Sequence, residues 1–165
     1  MSAYRGIIGV TILALTCLAG GCGGGGGGGG TATATRSLAV ADQTASPGSS
    51  ITVPVTISNA AGIAGIDITL TYNPSLLTAT DAATTSLTGD FALQRNITAG
   101  QIRIAMANAT GIASGSGALV NISCTVSSGA AKGQSCSLHV ASMSLYDQMA
   151  QAITCSAKDG TFTVQ

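Results

Sequence analysis

An all-β sandwich or jelly roll is the fold this 165-residue chain encodes from residue 37 onward. Apolar and polar residues alternate with a period of two along several separated segments, as in strands with one buried and one wet face. The composition agrees: Ala, Gly, Ser, Thr, Val and Ile abound, tryptophan and glutamate are absent, and no long stretch carries a helical period. Turn signals rich in proline and glycine separate these segments at regular spacing, which makes eight or nine strands.

Taken in order, Ser37–Asp42 is a short strand with Leu38 and Val40 inward, and Ala45–Ser49 carries Pro47-Gly48 in the order a β-turn prefers. Ile51, Val53, Val55 and Ile57 then alternate with Thr52, Pro54, Thr56 and Ser58. Proline cannot donate to a ladder, so this strand lies at an edge or bulges at Pro54. Gly62 and Gly65 precede the best-defined segment, in which Ile66, Ile68, Leu70 and Tyr72 alternate with Asp67, Thr69 and Thr71 until Asn73-Pro74-Ser75 closes a turn. Leu77–Thr80 begins another strand, Asp81–Gly89 has loop composition, and Asp90–Asn96 is ambiguous. Gln101–Ala107 places Ile102, Ile104 and Met106 inward and Arg103 outward, and Thr110–Gly117 is a loop. Ala118–Ser127 and Ser135–Tyr146 are long strands with a hairpin-like connection between them. A short piece at Ala152–Cys155 and a last strand at Gly160–Val164, with Phe162 and Val164 inward, complete the domain. No internal repeat is present.

The first 36 residues differ in kind. Arg5, an apolar run from Ile7 to Leu18 and the small residues before Cys22 make an export signal over 1–22, and the run is short for a bilayer span. Leu18-Ala-Gly-Gly-Cys22 resembles the bacterial lipoprotein signal, in which the cysteine is lipidated and becomes the mature N-terminus. An ordinary secretory signal with an incidental cysteine is the alternative. Gly23–Gly30 and the Thr/Ala segment after it form a linker over 23–36 that cannot bury enough apolar surface to order itself. Such a coil spans roughly 20 Å.

Beyond Cys22, six aspartates face five arginines and lysines, a balance of about −1 that offers no electrostatic footprint for nucleic acid or an anionic membrane. Catalysis finds little support. His139, the single histidine, falls on an outward phase with no nucleophile elbow in the sequence, so a solvated surface residue is expected. Glycoside hydrolysis needs two carboxylates across a cleft, whereas these aspartates sit near turns or alone on strands. No calcium loop or Cys/His spacing marks a metal site, so no cofactor is expected. Sugar stacking needs a row of exposed aromatics, but Tyr72 and Phe162 fall inward. Cys124 and Cys136 also fall inward, where a cross-strand disulfide and buried free thiols both fit, and Cys155 completes an odd set. What remains is an outward polar set of Asp67, Thr69, Thr71 and Arg103, a face suited to docking.

The segments Val53-Pro-Val55, Gly62-Ile-Ala-Gly-Ile-Asp-Ile-Thr-Leu-Thr-Tyr-Asn-Pro-Ser-Leu-Leu77, Gly111-Ile-Ala-Ser-Gly-Ser-Gly-Ala-Leu-Val120 and Asp159-Gly-Thr-Phe-Thr-Val164 resemble a cohesin domain in content, order and spacing. The resemblance covers 37–165. It implies a nine-stranded jelly-roll sandwich related to cellulose-binding modules, without catalytic activity. It also implies that one sheet face binds a dockerin, a small calcium-loaded helical module, with calcium held by the partner. Asp67 matches an acidic position used there for hydrogen bonding, and Gly65 stands where some relatives place asparagine. Gly65, Asp67, Thr69, Thr71 and Arg103 are therefore the expected partner-binding residues. With lipidation at Cys22, the module would be displayed on a bacterial envelope. Gly23 after that cysteine, rather than aspartate, resembles an outer-membrane destination, and partners in this family often belong to polysaccharide-degrading systems. A carbohydrate-binding module on the same fold and a structural surface lipoprotein are the alternatives.

Overall fold

Residues 36–165 are described by the structure, a computed structural model. The signal expected over 1–22, the lipidation site Cys22 and nearly all of the linker lie outside them. Arg36, assigned to the linker by composition, begins the first strand, and its guanidinium donates to the Ala61 carbonyl at 2.5 Å.

Eleven strands follow one another, and no helix occurs among the described residues. They are β1 (Arg36–Val40), β2 (Gln43–Ala45), β3 (Ser50–Ile57), β4 (Gly65–Thr71), β5 (Leu77–Thr84) and β6 (Ala92–Thr98), then β7 (Gln101–Ala107), β8 (Gly117–Val126), β9 (Ser135–Tyr146), β10 (Cys155–Lys158) and β11 (Gly160–Val164). One sheet has the order β10-β1-β3-β8-β5 and the other β2-β11-β9-β4-β7-β6. The all-β jelly-roll sandwich is thus as expected, with two more strands than the alternation shows. β2 is an addition and β10 takes the place of the short piece expected at Ala152–Cys155, of which only Cys155 lies in a strand; they are three and four residues long and join the outer ends of the two sheets by parallel pairing with β11 and β1. Strands so short leave no period to detect.

The core lies between the sheets. Leu38, Val53, Val55, Val120 and Ile122 of the first sheet join Ile66, Ile68, Leu70, Ile102, Leu138 and Phe162 of the second in one cluster, none more than 2% exposed. Removing this apolar surface from water is the main force holding the two layers together.

Four local expectations change. The stretch after Thr80 is strand rather than loop: β5 continues to Thr84, with a bulge against β8 between Ala79 and Asp81 that flips the phase, so Ala82 is the next buried residue. The ambiguous stretch at 90–96 resolves into β6. Pro54 does not mark an edge, since β3 is the central strand of its sheet; a register shift follows at Val55/Thr56, and the Pro54 carbonyl accepts from Ala41 N–H at 3.2 Å just where β1 ends. Finally, the connection from β8 to β9 is no hairpin. It carries the chain from one sheet to the other.

That crossing also bears on the cysteines. Cys124 and Cys136 point inward from opposing sheets rather than from paired strands, and Cys124, Cys136 and Cys155 are free thiols. Burial, aided by the neighbouring Cys136, pushes the Cys124 thiol up to about 11.

Candidate functional site

β4 sits inside the six-stranded sheet, bonded to β9 on one side and β7 on the other over its whole length. Its inward residues Ile66, Ile68 and Leu70 are at most 2% exposed and fix the strand to the core. Both ends are tied as well. Gly62 takes φ +78° as its N–H donates to the Ile112 carbonyl at 2.7 Å. After Thr71, the Asn73 side chain accepts from Ser75 N–H at 2.9 Å and the Asn73 carbonyl from Leu77 N–H at 3.0 Å.

Register then assembles the outer face in four rows across β9, β4, β7 and β6. Tyr146, Gly65, Ala107 and Ala92 make the first row, and Ser144, Asp67, Ala105 and Gln94 the second. Ser142, Thr69, Arg103 and Asn96 follow, then His139, Thr71, Gln101 and Thr98. A bulge in β9 opposite Thr69/Leu70 keeps His139 in phase with the rest. Gly65, Asp67, Thr69, Thr71 and Arg103 therefore all come together on one side of one sheet. The middle rows enclose an open groove of about 670 Å³, whose lining includes Asp67, Thr69, Arg103, Gln94, Asn96 and Ser142.

The charges on this face are distributed unevenly. At one border Arg95 pairs with Asp81 of β5 at 2.7 Å, joining the edges of the two sheets. At the other, His139 Nδ1 meets the Asp159 carboxylate at 2.6 Å, and Asp159 also accepts from Val140 N–H at 2.9 Å. These contacts, the histidine first, hold the Asp159 carboxyl below its ordinary range. His139 is exposed as expected, but it is paired rather than merely solvated. Among the described residues no hydroxyl or thiol is hydrogen-bonded to it, and no cluster of three or more His, Cys or Asp groups could hold a metal. Between these borders stand Asp67 and Arg103, one row apart on adjacent strands. Neither has an ion pair among the described residues.

Gly65 has a structural reason. A Cβ built there would lie 3.3 Å from Tyr146 Cβ and 3.4 Å from its ring Cδ2, so the ring occupies the space above the glycine. An asparagine at 65 would require the tyrosine to move. Sequence patterning does not reveal Tyr146 as a site residue, because only register brings positions 65 and 146 together. Gln94 and Asn96 are hidden because Arg95 takes an inward phase yet stays exposed, which obscures the alternation of β6. Ser142 and Ser144 are detectable by their phase on β9, but serine carries no signal of its own. Of the aromatics among the described residues, Tyr72, Phe91 and Phe162 are buried and only Tyr146 is half-buried, so no stacking row exists there.

The model of the cohesin domain matches residues 37–164. The chain belongs to the cohesin family. Solved structures carry the same fold. A non-cellulosomal cohesin from the archaeon Archaeoglobus fulgidus is 27% identical, with a TM-score of 0.72 over 80% of this chain and 92% of that one. A cohesin from Clostridium acetobutylicum, solved with a dockerin at pH 5.5, is 25% identical, with a TM-score of 0.71 over 79% and 100%. The sixth cohesin of scaffoldin B from Acetivibrio cellulolyticus, in complex with a dockerin, is 21% identical, with a TM-score of 0.72 over 79% and 99%, and supports the fold alone. No curated protein matches the sequence.

Proposed function

We propose that this cohesin is a non-catalytic interaction module that captures a dockerin-type partner on the outer face of β9-β4-β7-β6. The observation that carries the reading is the pair of charges without an ion-pair partner among the described residues, Asp67 and Arg103, on a rigid face whose middle rows otherwise carry mostly hydroxyls and amides. Charges on such a face that have no internal partner are available for charge-assisted hydrogen bonds to another protein. Family membership and a 25% identical cohesin solved with a dockerin support the choice of partner. Calcium, in this reading, belongs to the dockerin. The lipoprotein-like segment ending at Cys22, followed by glycine, supports display on the cell envelope, with the outer membrane and polysaccharide degradation as the proposed setting.

Titration calorimetry against calcium-loaded dockerins, run beside a polysaccharide panel, tests the binding reading. Asp67→Ala should weaken the dockerin complex about tenfold while leaving the melting temperature unchanged. Retention on polysaccharide with no dockerin bound would favour a carbohydrate-binding module instead. For the anchor, Cys22→Ser should move the protein out of the membrane fraction, and persistence there would discard lipidation at that residue.

A further inference from the structure

We propose that Asn108 is a modification site, the attachment point of a glycan delivered by a sugar activated at C1 through a pyrophosphate bond. The inference goes beyond the docking face and holds whatever partner that face takes.

Asparagine followed two residues on by serine or threonine, with no proline between, is the acceptor sequence for N-linked sugars. It occurs three times, at Asn96-Ile-Thr98, Asn108-Ala-Thr110 and Asn121-Ile-Ser123, while Asn73-Pro-Ser75 is barred by its proline. Such triplets arise readily by chance in a chain this rich in hydroxyls, so the pattern by itself selects none of them. The fold does. Asn96 lies within β6, opposite Arg103 of β7, and Asn121 lies half-buried within β8 between Pro54 of β3 and Ala83 of β5. A transferase could bend neither triplet around its donor without pulling a strand out of its ladder. Asn108 comes one residue after β7 ends, and the two residues that follow it, Ala109 and Thr110, are exposed.

The side chains of this third triplet are already in an acceptor's arrangement. Thr110 N–H and the Thr110 hydroxyl both donate to Asn108 Oδ1, at 3.0 and 3.2 Å. A backbone N–H only donates, so the atom that faces it must be the amide oxygen. Nδ2 therefore points away from the turn, and it donates to no group among the described residues. The turn is held at both ends. Asn108 N–H donates to the Ala64 carbonyl at 2.8 Å, and Gln148 Nε2 donates to the Thr110 carbonyl. A bend formed in advance spares the enzyme the cost of ordering it. The two donors on Oδ1 also stabilise the negative charge that builds on the amide as Nδ2 gives up a proton.

In the transfer, Nδ2 attacks C1 of the sugar and an N–C1 bond forms. The C1–O bond to the diphosphate breaks, the diphosphate leaves with the electron pair, and the amide proton passes to a base of the transferase. Nothing is oxidised or reduced. Asn108 stands one residue beyond the first row of the docking face, so the sugar would rise from the end of the sandwich and leave the rows of Asp67 and Arg103 open. Charged residues make up only 7% of the chain, and the hydroxyls of a glycan would supply solubility that charge does not.

The test is peptide mapping, by mass spectrometry with electron-transfer fragmentation, of the full chain isolated from the organism that encodes it. The wild-type map should place added mass on Asn108: a single hexose where the donor is a nucleotide sugar, a longer oligosaccharide where it is lipid-linked. Asn108→Gln and Thr110→Ala should lose that mass, and Thr110→Ser, Asn96→Gln and Asn121→Gln should keep it. The wild-type map needs no variant, so a variant that fails to fold leaves the test intact. Unmodified Asn108 in the wild-type chain, or sugar found only on Asn96, Asn121 or hydroxyl side chains, would overturn the proposal.

Discussion

Gly160→Ala tests how the sandwich is closed. The chain passes between the sheets twice at this corner, from β1 to β2 through Ala41-Asp42 and from β10 to β11 through Asp159, with parallel pairing on both sides of the crossing. Gly160 sits where the two crossings touch. A Cβ there would lie 2.7 Å from the Val40 carbonyl oxygen and 2.9 Å from that of Ala41. Carbon seldom approaches a carbonyl oxygen closer than about 3.3 Å, so the overlap is about 0.6 Å with the first oxygen and about 0.4 Å with the second, both of them backbone. No side-chain rotation relieves it. β11 would have to retreat, stretching the Thr161 N–H bond to Asp42 from its 2.8 Å and loosening Phe162 and Val164, which are at most 1% exposed. Overpacking of this kind costs about 1–3 kcal/mol and a weakened hydrogen bond about 1 more. The stiffer unfolded chain of alanine offsets about 0.5 kcal/mol, leaving a net loss of about 1.5–3.5 kcal/mol, a substantial part of a domain's typical stability of about 5–15. A domain of this size should lose roughly 10 °C in Tm, read by calorimetry with urea unfolding as a second measure. Gly133→Ala is the control: nothing lies within 4 Å, and only its φ of +86° opposes the change, at about 1 kcal/mol. If Gly160→Ala melts within about 2 °C of wild type, the crossings do not abut as described.

Three further outcomes follow from particular contacts. Ile68→Asp places a carboxylate at a position 2% exposed in the middle of β4 and should abolish the cooperative far-UV transition; a stably folded variant would mean the strand's faces are reversed. Asp159 has a folded pKa below its ordinary 3.8, so its contribution to stability is full above that value and disappears as pH falls through the lower one. Melting temperature should therefore fall more steeply below about pH 4 in wild type than in Asp159→Asn, and equal slopes would dismiss the contact. Cys124, raised to about 11, is thiolate in about one molecule in a thousand at pH 8, so an alkylating reagent should label it slowly until urea is added; immediate labelling of the native protein would contradict its burial.

Alternation made β3, β4, β7, β8 and β9 legible, because one buried face and one wet face impose a period of two on each of them. The failures share a cause as well. In β5 the bulge after Ala79 shifts the phase in mid-strand, and in β6 an arginine occupies an inward phase because it reaches out to Asp81 at the sheet edge. β2 and β10 are stabilised by parallel neighbours distant in sequence, so nothing local announces them. The short β8–β9 connection has the composition of a hairpin loop, and only the pairing of its flanking strands reveals a change of sheet.

The docking face divides along the same line. Asp67, Thr69 and Thr71 follow from the phase of one strand, and Arg103 from the phase of another. That these strands are neighbours is a matter of register, and register is tertiary. Gly65 shows the difference most clearly. Along β4 it is a residue without a side chain where an asparagine could have offered a hydrogen bond. Across the sheet it is the seat of the Tyr146 ring, which a side chain at 65 would displace. The hydrogen bond that β4 forgoes and the aromatic surface that β9 presents are thus two consequences of one glycine. A double-mutant cycle of Gly65→Asn with Tyr146→Ala would detect it: the two changes touch directly, so their effects on stability should be clearly non-additive, whereas independent sites would add to within about 0.5 kcal/mol.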